Sequence, residues 1–188
     1  MGLEKQMDVF ECMQQRRSIR RFKDKKVSAT EIRRILEAGI AAPSAGNMQS
    51  REFVLIETYE NRRKTAAVTD TGITARGGVL HQEWIANAPL IIVICYEHKR
   101  MTARYGEKGR REMTLLDCMG VAQNMMLAVT ALHLGSTCVI GFDPKALKQA
   151  IPIPVELTPY LLLPIGHPDE FPGEVFRFGI EEMIRGVY

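Results

Sequence analysis

Paired thiols, metal-ligand spacing and membrane-length apolar runs are all missing from this 188-residue sequence. Its four cysteines, Cys12, Cys95, Cys118 and Cys138, stand far apart with no C-x-x-C pair. That excludes a zinc knuckle or dithiol redox motif and reads as free thiols in a reducing, cytoplasmic compartment. His81, His98, His133 and His167 show no ligand spacing, so no metal centre is expected. The longest apolar run, residues 88–96, falls well short of the roughly 20 residues a helix needs to cross a bilayer, and no membrane segment is expected. Residues 1–6 hold no apolar run to act as a secretion signal, so the working chain is expected to start at Met1. The sequence also lacks G-x-G-x-x-G after a strand, G-x-x-x-x-G-K-[ST], H-E-x-x-H and G-x-S-x-G. The commonest dinucleotide, nucleotide, zinc-protease and hydrolase signatures go with them. A net charge of +3 gives no reason to expect nucleic acid, and no groove-reading motif or aromatic platform accompanies the basic clusters. A basic nucleic-acid-binding module is the rival class that those clusters leave.

What is present has the composition of an ordinary globular chain, 46% hydrophobic and 25% charged. Its length suits one domain over residues 1–188. Asp8 can cap a short helix carrying Val9, Cys12 and Met13. Ser28 and Glu31 form a capping box before Ile32, Ile35, Leu36, Gly39 and Ile40, which recur at helical spacing until Ala42-Pro43 stops the helix. Residues 52–57 read as a strand, 60–69 and 79–87 as helices, and 90–96 as a strand covered on both faces. The longest helix is expected over 114–134, with Leu115, Met119, Ala122, Met126 and Val129 on its buried face and Gly135 ending it. Short strands follow at 136–140 and 160–165, with a helix from Asp143-Pro144 between them, and residues 172–188 trail beyond. Two helices precede any strand, so the expected fold is an α+β sandwich and not a doubly wound sheet.

Three segments could carry chemistry. In residues 16–22, RRSIRRF, alternation along an extended backbone would put Arg16, Ser18 and Arg20 on one side, able to converge on one anion. A solvated basic turn has the same composition. In residues 43–49, PSAGNMQ, small residues let backbone approach a flat ring, while Asn47 and Gln49 offer amides to a heterocycle edge or to the loop itself. In residues 163–168, LPIGHP, a strand ends in a turn whose exposed amides could donate to ring nitrogen or oxygen. Either of these segments could equally be a plain turn.

Their order, together with APLIIVIC, DCMGVAQNMMLAVTALHLGSTCVIG and RFGIEEMI, resembles the FMN-dependent nitroreductase family over nearly the whole chain. The resemblance implies a nitroreductase-like three-layer sandwich, a central and mostly antiparallel sheet flanked by helices, and an intertwined homodimer. It implies FMN, with NADH or NADPH as hydride donor and a nitro, quinone or related organic acceptor. Arg16, Arg17, Ser18 and Arg20 would hold the phosphate and ribityl chain, and Arg177 would add a second phosphate contact. Pro43, Ser44, Ala45 and Asn47 would come from the other subunit, with Asn47 touching flavin or shaping the loop. Cys138, Val139 and Ile140 would back the ring, and Pro164, Ile165 and Gly166 would offer amides to N5 and O4. No side chain is expected to be catalytic, because flavin carries the hydride chemistry. The tryptophan common after the family's loop is replaced by Ser50-Arg51. Where relatives carry a lid, residues 97–113 read as a short, basic loop, and Arg104, Tyr105 and Lys108 are its candidate functional residues. The same fold also hosts dehalogenation, flavin breakdown and flavin storage, which are the alternatives to a general oxidoreductase.

Overall fold

The computed structural model describes residues 7–71 and 80–188; the expectations for residues 1–6 and the first residue of the helix expected over 79–87 lie outside them. The elements run α1 (Val9–Gln15), α2 (Ala29–Ile40), β1 (Arg51–Ile56), α3 (Tyr59–Ala66), β2 (Leu90–Glu97), α4 (His98–Lys108), α5 (Thr114–Ala131), β3 (Gly135–Ser136), α6 (Pro144–Ala150), β4 (Leu157–Gly166) and α7 (Ile180–Met183). The four strands form one sheet in the order β1-β2-β4-β3, with every pairing antiparallel.

The apolar run LIIVICYE becomes β2 because each of its faces has a helical layer to bury against. Leu90, Ile92 and Ile94 enter a core with Ile35 of α2 and Val121 and Met125 of α5. Ile91, Val93 and Cys95 enter a second core with Ala66 of α3 and Leu147 of α6. This is the expected α+β sandwich of three layers. Each such isoleucine or leucine contributes about 1.5–3 kcal/mol by leaving water.

Helix ends follow their capping chemistry. Asp8 caps α1, and in α2 Ser28 and Glu31 exchange the two bonds of a capping box at 3.2 and 2.7 Å. At the other end of α2 the buried Arg51 donates from Nη2 to the carbonyls of Ile40 and Ala42, at 2.9 and 2.7 Å. It satisfies acceptors that a helix terminus leaves over.

The structure corrects several sequence readings, among them the strand expected over 136–140, which β3 confines to Gly135–Ser136. Helix α5 ends at Ala131, and His133, with φ 55°, makes the left-handed turn that had been given to Gly135. Gly135 instead opens β3, where an added Cβ would meet Ile19 at 2.8 Å. The buried side of α5 carries the expected Ala122, Met126 and Val129 together with Cys118, Val121 and Met125, while the expected Met119 is 39% exposed. Apolar residues ring this helix, so identity alone misplaces its inner face. Residues 97–113 are not a loop. Glu97 accepts from the amides of Lys99 and Arg100 and starts α4, which breaks at Gly106, φ 57°, before a π-helical turn over Gly109–Met113. Burial pushes the Glu97 carboxyl up, but those two amides outweigh it and hold the carboxyl below its ordinary range. Among the described residues no helix is long and apolar enough to cross a membrane.

Candidate functional site

The arginine motif is laid down beside the short edge strand. Ser18 pairs with Ser136 in parallel, the Ile19 amide donates to the Ser136 carbonyl at 3.1 Å, and Phe22 pairs with Pro168. Residues 16–22 are thus held extended, and alternation places Arg16, Ser18 and Arg20 on one side. Ile19, 7% exposed, packs on Gly135 from the other side. Arg20 lines a cleft of about 320 Å³ with Asp70, Thr71, Gln82, Trp84 and residues 137–141, a mixed polar and apolar lining that includes one carboxylate. Cys138 is half-buried, Val139 buried and Ile140 64% exposed, so the cleft has an apolar wall facing outward. Among the described residues no carboxylate lies within ion-pair distance of the Arg16 or Arg20 guanidinium. A permanent cation with its donors free beside an apolar wall is the donor set a phosphorylated planar ligand needs.

Pro164, Ile165 and Gly166 adjoin this region but lie inside β4 and not in a turn beyond it. Ile165 pairs with Leu90 on one side and Ser136 on the other, and the chain turns only from His167. Pro164 is tolerated there because β3 reaches only Ile165 and Gly166, so no ladder bond is lost on that side. At Gly166 an added Cβ would come within 2.5 Å of Pro89 and 2.9 Å of Phe22.

Two of the expected cation contacts go elsewhere. Arg17 donates to the carbonyls of Gln14 at 2.6 Å and Gly173 at 3.1 Å and does not line the Arg20 cleft. Arg177 lies on the exposed C-terminal arm, donating to the Phe176 carbonyl at 2.9 Å.

The loop over residues 43–49 is built at a different place, and none of its residues lines the Arg20 cleft. Gly46, Asn47 and Gln49 all take positive φ, at 55°, 56° and 51°, a concentration of left-handed backbone that a simple turn does not need. Ser44 Oγ accepts from the Gln49 amide at 3.0 Å, and Asp117 Oδ1 accepts from the Ala45 amide at 3.1 Å. Asp117 is 7% exposed and its Oδ2 has no partner. Burial pushes its carboxyl above the ordinary range, only partly countered by the Ala45 amide and the Arg51 charge. Helix α4 closes over the same loop. Arg100 donates to the Gln49 carbonyl at 2.9 Å and Arg104 to the Gly46 carbonyl at 3.1 Å, and Tyr105 Oη abuts Gly46. Of the cations in residues 97–113, Arg100 pairs with Glu52 at 2.9 Å, and Arg110 and Arg111 pair with Glu107 at 3.5 and 3.9 Å. Lys99, Arg104 and Lys108 have no carboxylate partner among the described residues. Among those residues no group of three His, Cys, Asp or Glu side chains could hold a metal ion.

The arginine strip and the 43–49 loop thus lie apart in one chain, and several large apolar side chains are exposed. Phe10 of α1 and Leu116 of α5 are each 71% exposed, and the arm adds Phe171 at 89% and Phe176 at 75%. Sequence reasoning missed Asp117, Arg51 and Trp84, whose roles come from tertiary packing and carry no local motif. It missed Glu170 as well, whose carboxylate accepts from the backbone amides of Arg20 and Arg21.

The profile of the Nitroreductase family matches residues 13–167. A protein of Archaeoglobus fulgidus, provisionally named an NADH dehydrogenase/NAD(P)H nitroreductase, is 29% identical over 85% of this chain and 87% of its own. A nitroreductase family protein from Streptococcus pneumoniae shares the fold with a TM-score of 0.83 at 23% identity, covering 96% of this chain and 100% of its own. A provisionally named nitroreductase from Desulfovibrio desulfuricans, solved in complex with FMN, has a TM-score of 0.75 at 29% identity over 96% of both chains. With the family profile matching residues 13–167, most of its length, the chain belongs to the nitroreductase family.

Proposed function

We propose that the chain is one FMN-binding domain that works as a homodimer, passing hydride from NADH or NADPH to a nitro, quinone or related organic acceptor. The observation that carries this reading is the Arg20 cleft, which an arginine with no ion-pair partner among the described residues lines together with the partly apolar segment 138–140 and with Asp70. Arg16, Ser18 and Arg20 would hold the phosphate and ribityl chain, with Arg177 swinging in from the arm as a second phosphate contact. Cys138, Val139 and Ile140 would back the ring, and Gly166 would keep backbone close to its edge. Pro43, Ser44, Ala45 and Asn47 would reach the ring from the partner copy, since one chain builds that loop away from its own cleft. FMN, when bound, supplies reversible two-electron chemistry, which is why no triad or metal is needed beside it. The printed names of the Archaeoglobus relative and the Desulfovibrio complex support the donor and the cofactor. The free thiols favour a reducing, cytoplasmic setting.

Purified protein should be yellow and release FMN and not FAD on denaturation. It should sediment as a dimer and oxidise NADH or NADPH in the presence of a quinone or nitroaromatic. A colourless preparation that also takes up no added FMN ends this reading.

A further inference from the structure

The strip over residues 16–22 has two faces, and the proposed cofactor uses only one. Arg20 lines the cleft of residues 137–141, whereas Arg17 and Ile19 line a separate cavity of about 400 Å³ beneath the root of the C-terminal arm, with His133, Glu170 and Phe171. On that second face the hydrogen bonds are directional and reciprocal. Arg17 Nε donates to the Gly173 carbonyl at 3.1 Å. Arg21 Nη2 donates to the Asp169 carbonyl at 2.9 Å, and the Asp169 amide donates back to the Arg21 carbonyl at 3.0 Å. The Glu170 carboxylate accepts from the backbone amides of Arg20 and Arg21, the latter at 3.0 Å. Beyond Glu170 every residue is exposed, so these bonds, and not a core of the arm's own, fix where the arm leaves the sheet.

We propose that Arg17, Arg21 and Glu170 form a latch that aims the C-terminal arm at a second copy of the chain, and that the shared strip couples this docking to cofactor loading. The proposal rests on the FMN site and dimer proposed above. A ligand on Arg16, Ser18 and Arg20 stiffens a strip that Ser136 and Pro168 already hold extended, and with it the amides bonded to Glu170 and the arm root. Coupling of this kind is reciprocal, so FMN tightens the dimer by the factor with which the dimer tightens FMN. Arg17 and Glu170 are therefore positioning residues for the arm and not cofactor ligands.

The test compares Arg17→Ala, Arg17→Lys, Glu170→Ala and Glu170→Gln with Arg16→Ala in the full chain, with and without FMN. Backbone hydrogen exchange, sedimentation and FMN fluorescence quenching are the readouts. Removing the latch should raise exchange in residues 18–23 and 168–178 by about tenfold, on the scale of local opening. Dimer dissociation should rise by about the same factor, within the usual range for coupled sites. The conservative Lys and Gln variants, which keep a donor and an acceptor, should sit between these and the parent. In the parent, FMN should slow exchange at 168–178, and in the alanine latch variants it should not. Unchanged exchange and unchanged dissociation in Arg17→Ala and Glu170→Ala overturn the latch. So does an Arg17→Ala variant that loses FMN as severely as Arg16→Ala while its arm exchanges normally. A parent protein that takes up no FMN sinks the cofactor reading and the coupling with it, while exchange and sedimentation still decide the latch.

Discussion

Arg104 reaches from α4 to donate to the carbonyl oxygen of Gly46 at 3.1 Å, which makes the basic helix and the left-handed loop one structural unit. Tyr105 abuts the same glycine, and the Arg104 guanidinium lies over the Tyr105 ring, 5.4 Å from its centroid. If the loop reaches the flavin of the partner copy, the free cations of α4 arrive with it.

That arrangement predicts charge selectivity in the acceptor or donor. Lys99, Arg104 and Lys108 should raise the local concentration of anions, favouring an anionic substrate over a matched neutral one by about tenfold in kcat/KM at low salt. The preference should shrink towards unity as ionic strength approaches about 1 M, where the screening length is about 3 Å. An Arg104→Ala, Lys108→Ala variant should start with the smaller preference. Equal selectivity in both proteins at both salts would return these side chains to the solvated surface.

The phosphate face of the strip makes a separate prediction. Arg16→Ala or Arg20→Ala removes charge-assisted hydrogen bonds worth about 1.5–3 kcal/mol, so FMN should bind about 10- to 100-fold more weakly while the circular dichroism of the fold is retained. Titration of the stripped protein with FMN measures this, and unchanged affinity in both variants rejects the assignment.

Asp117 gives a pH signature. Burial raises its folded-state pKa, so its protonated form is the one folding favours. The associated stability is present below the unfolded-state value and is lost as pH rises through the raised one. Asp117→Asn keeps an acceptor for the Ala45 amide and removes the charge, and should therefore raise Tm at pH 7 relative to the parent. The gain should fade as pH drops below the ordinary aspartate range. A gain of equal size at every pH would show that the charge is not the cause.

The thiols should divide sharply. Burial pushes Cys95 and Cys118 up to about 12 and raises Cys12 as well, so all three should resist alkylation until the protein unfolds. Cys138 is also raised by burial but is only half-buried beside the Arg20 cleft. It should react slowly in the stripped protein and become protected when FMN is added. Mass spectrometry of the native protein after timed alkylation decides the order, and rapid labelling of Cys118 would contradict the packing.

Much of the fold was legible because it rests on local chemistry. The double-sided apolar run of β2, the Ser28-Glu31 box of α2 and the Asp143-Pro144 start of α6 each state their structure within a few residues. Helix α4 was missed because its charged residues form no apolar stripe, although Glu97 was a readable cap. The convergence of residues 16–22 with 135–141 and 167–170 has no local cause. Alternation indicated that Arg16 and Arg20 share a side, but not that Arg17 would face a different cavity and meet the arm. Asp117 illustrates the same limit, since only the fold of α5 against the 43–49 loop gives its carboxylate a task.

The edge pairing of residues 18–22 also orders events in the life of the chain. This strip emerges early in synthesis, yet its partners Ser136, His167 and Pro168 are made more than a hundred positions later. Sheet contacts at such separation form late, after local helices and the β1–β2 pairing have closed. The cleft is therefore completed only once the chain has reached residue 141, and a fragment ending before residue 135 would lack its apolar wall, the β3 edge and the whole arm.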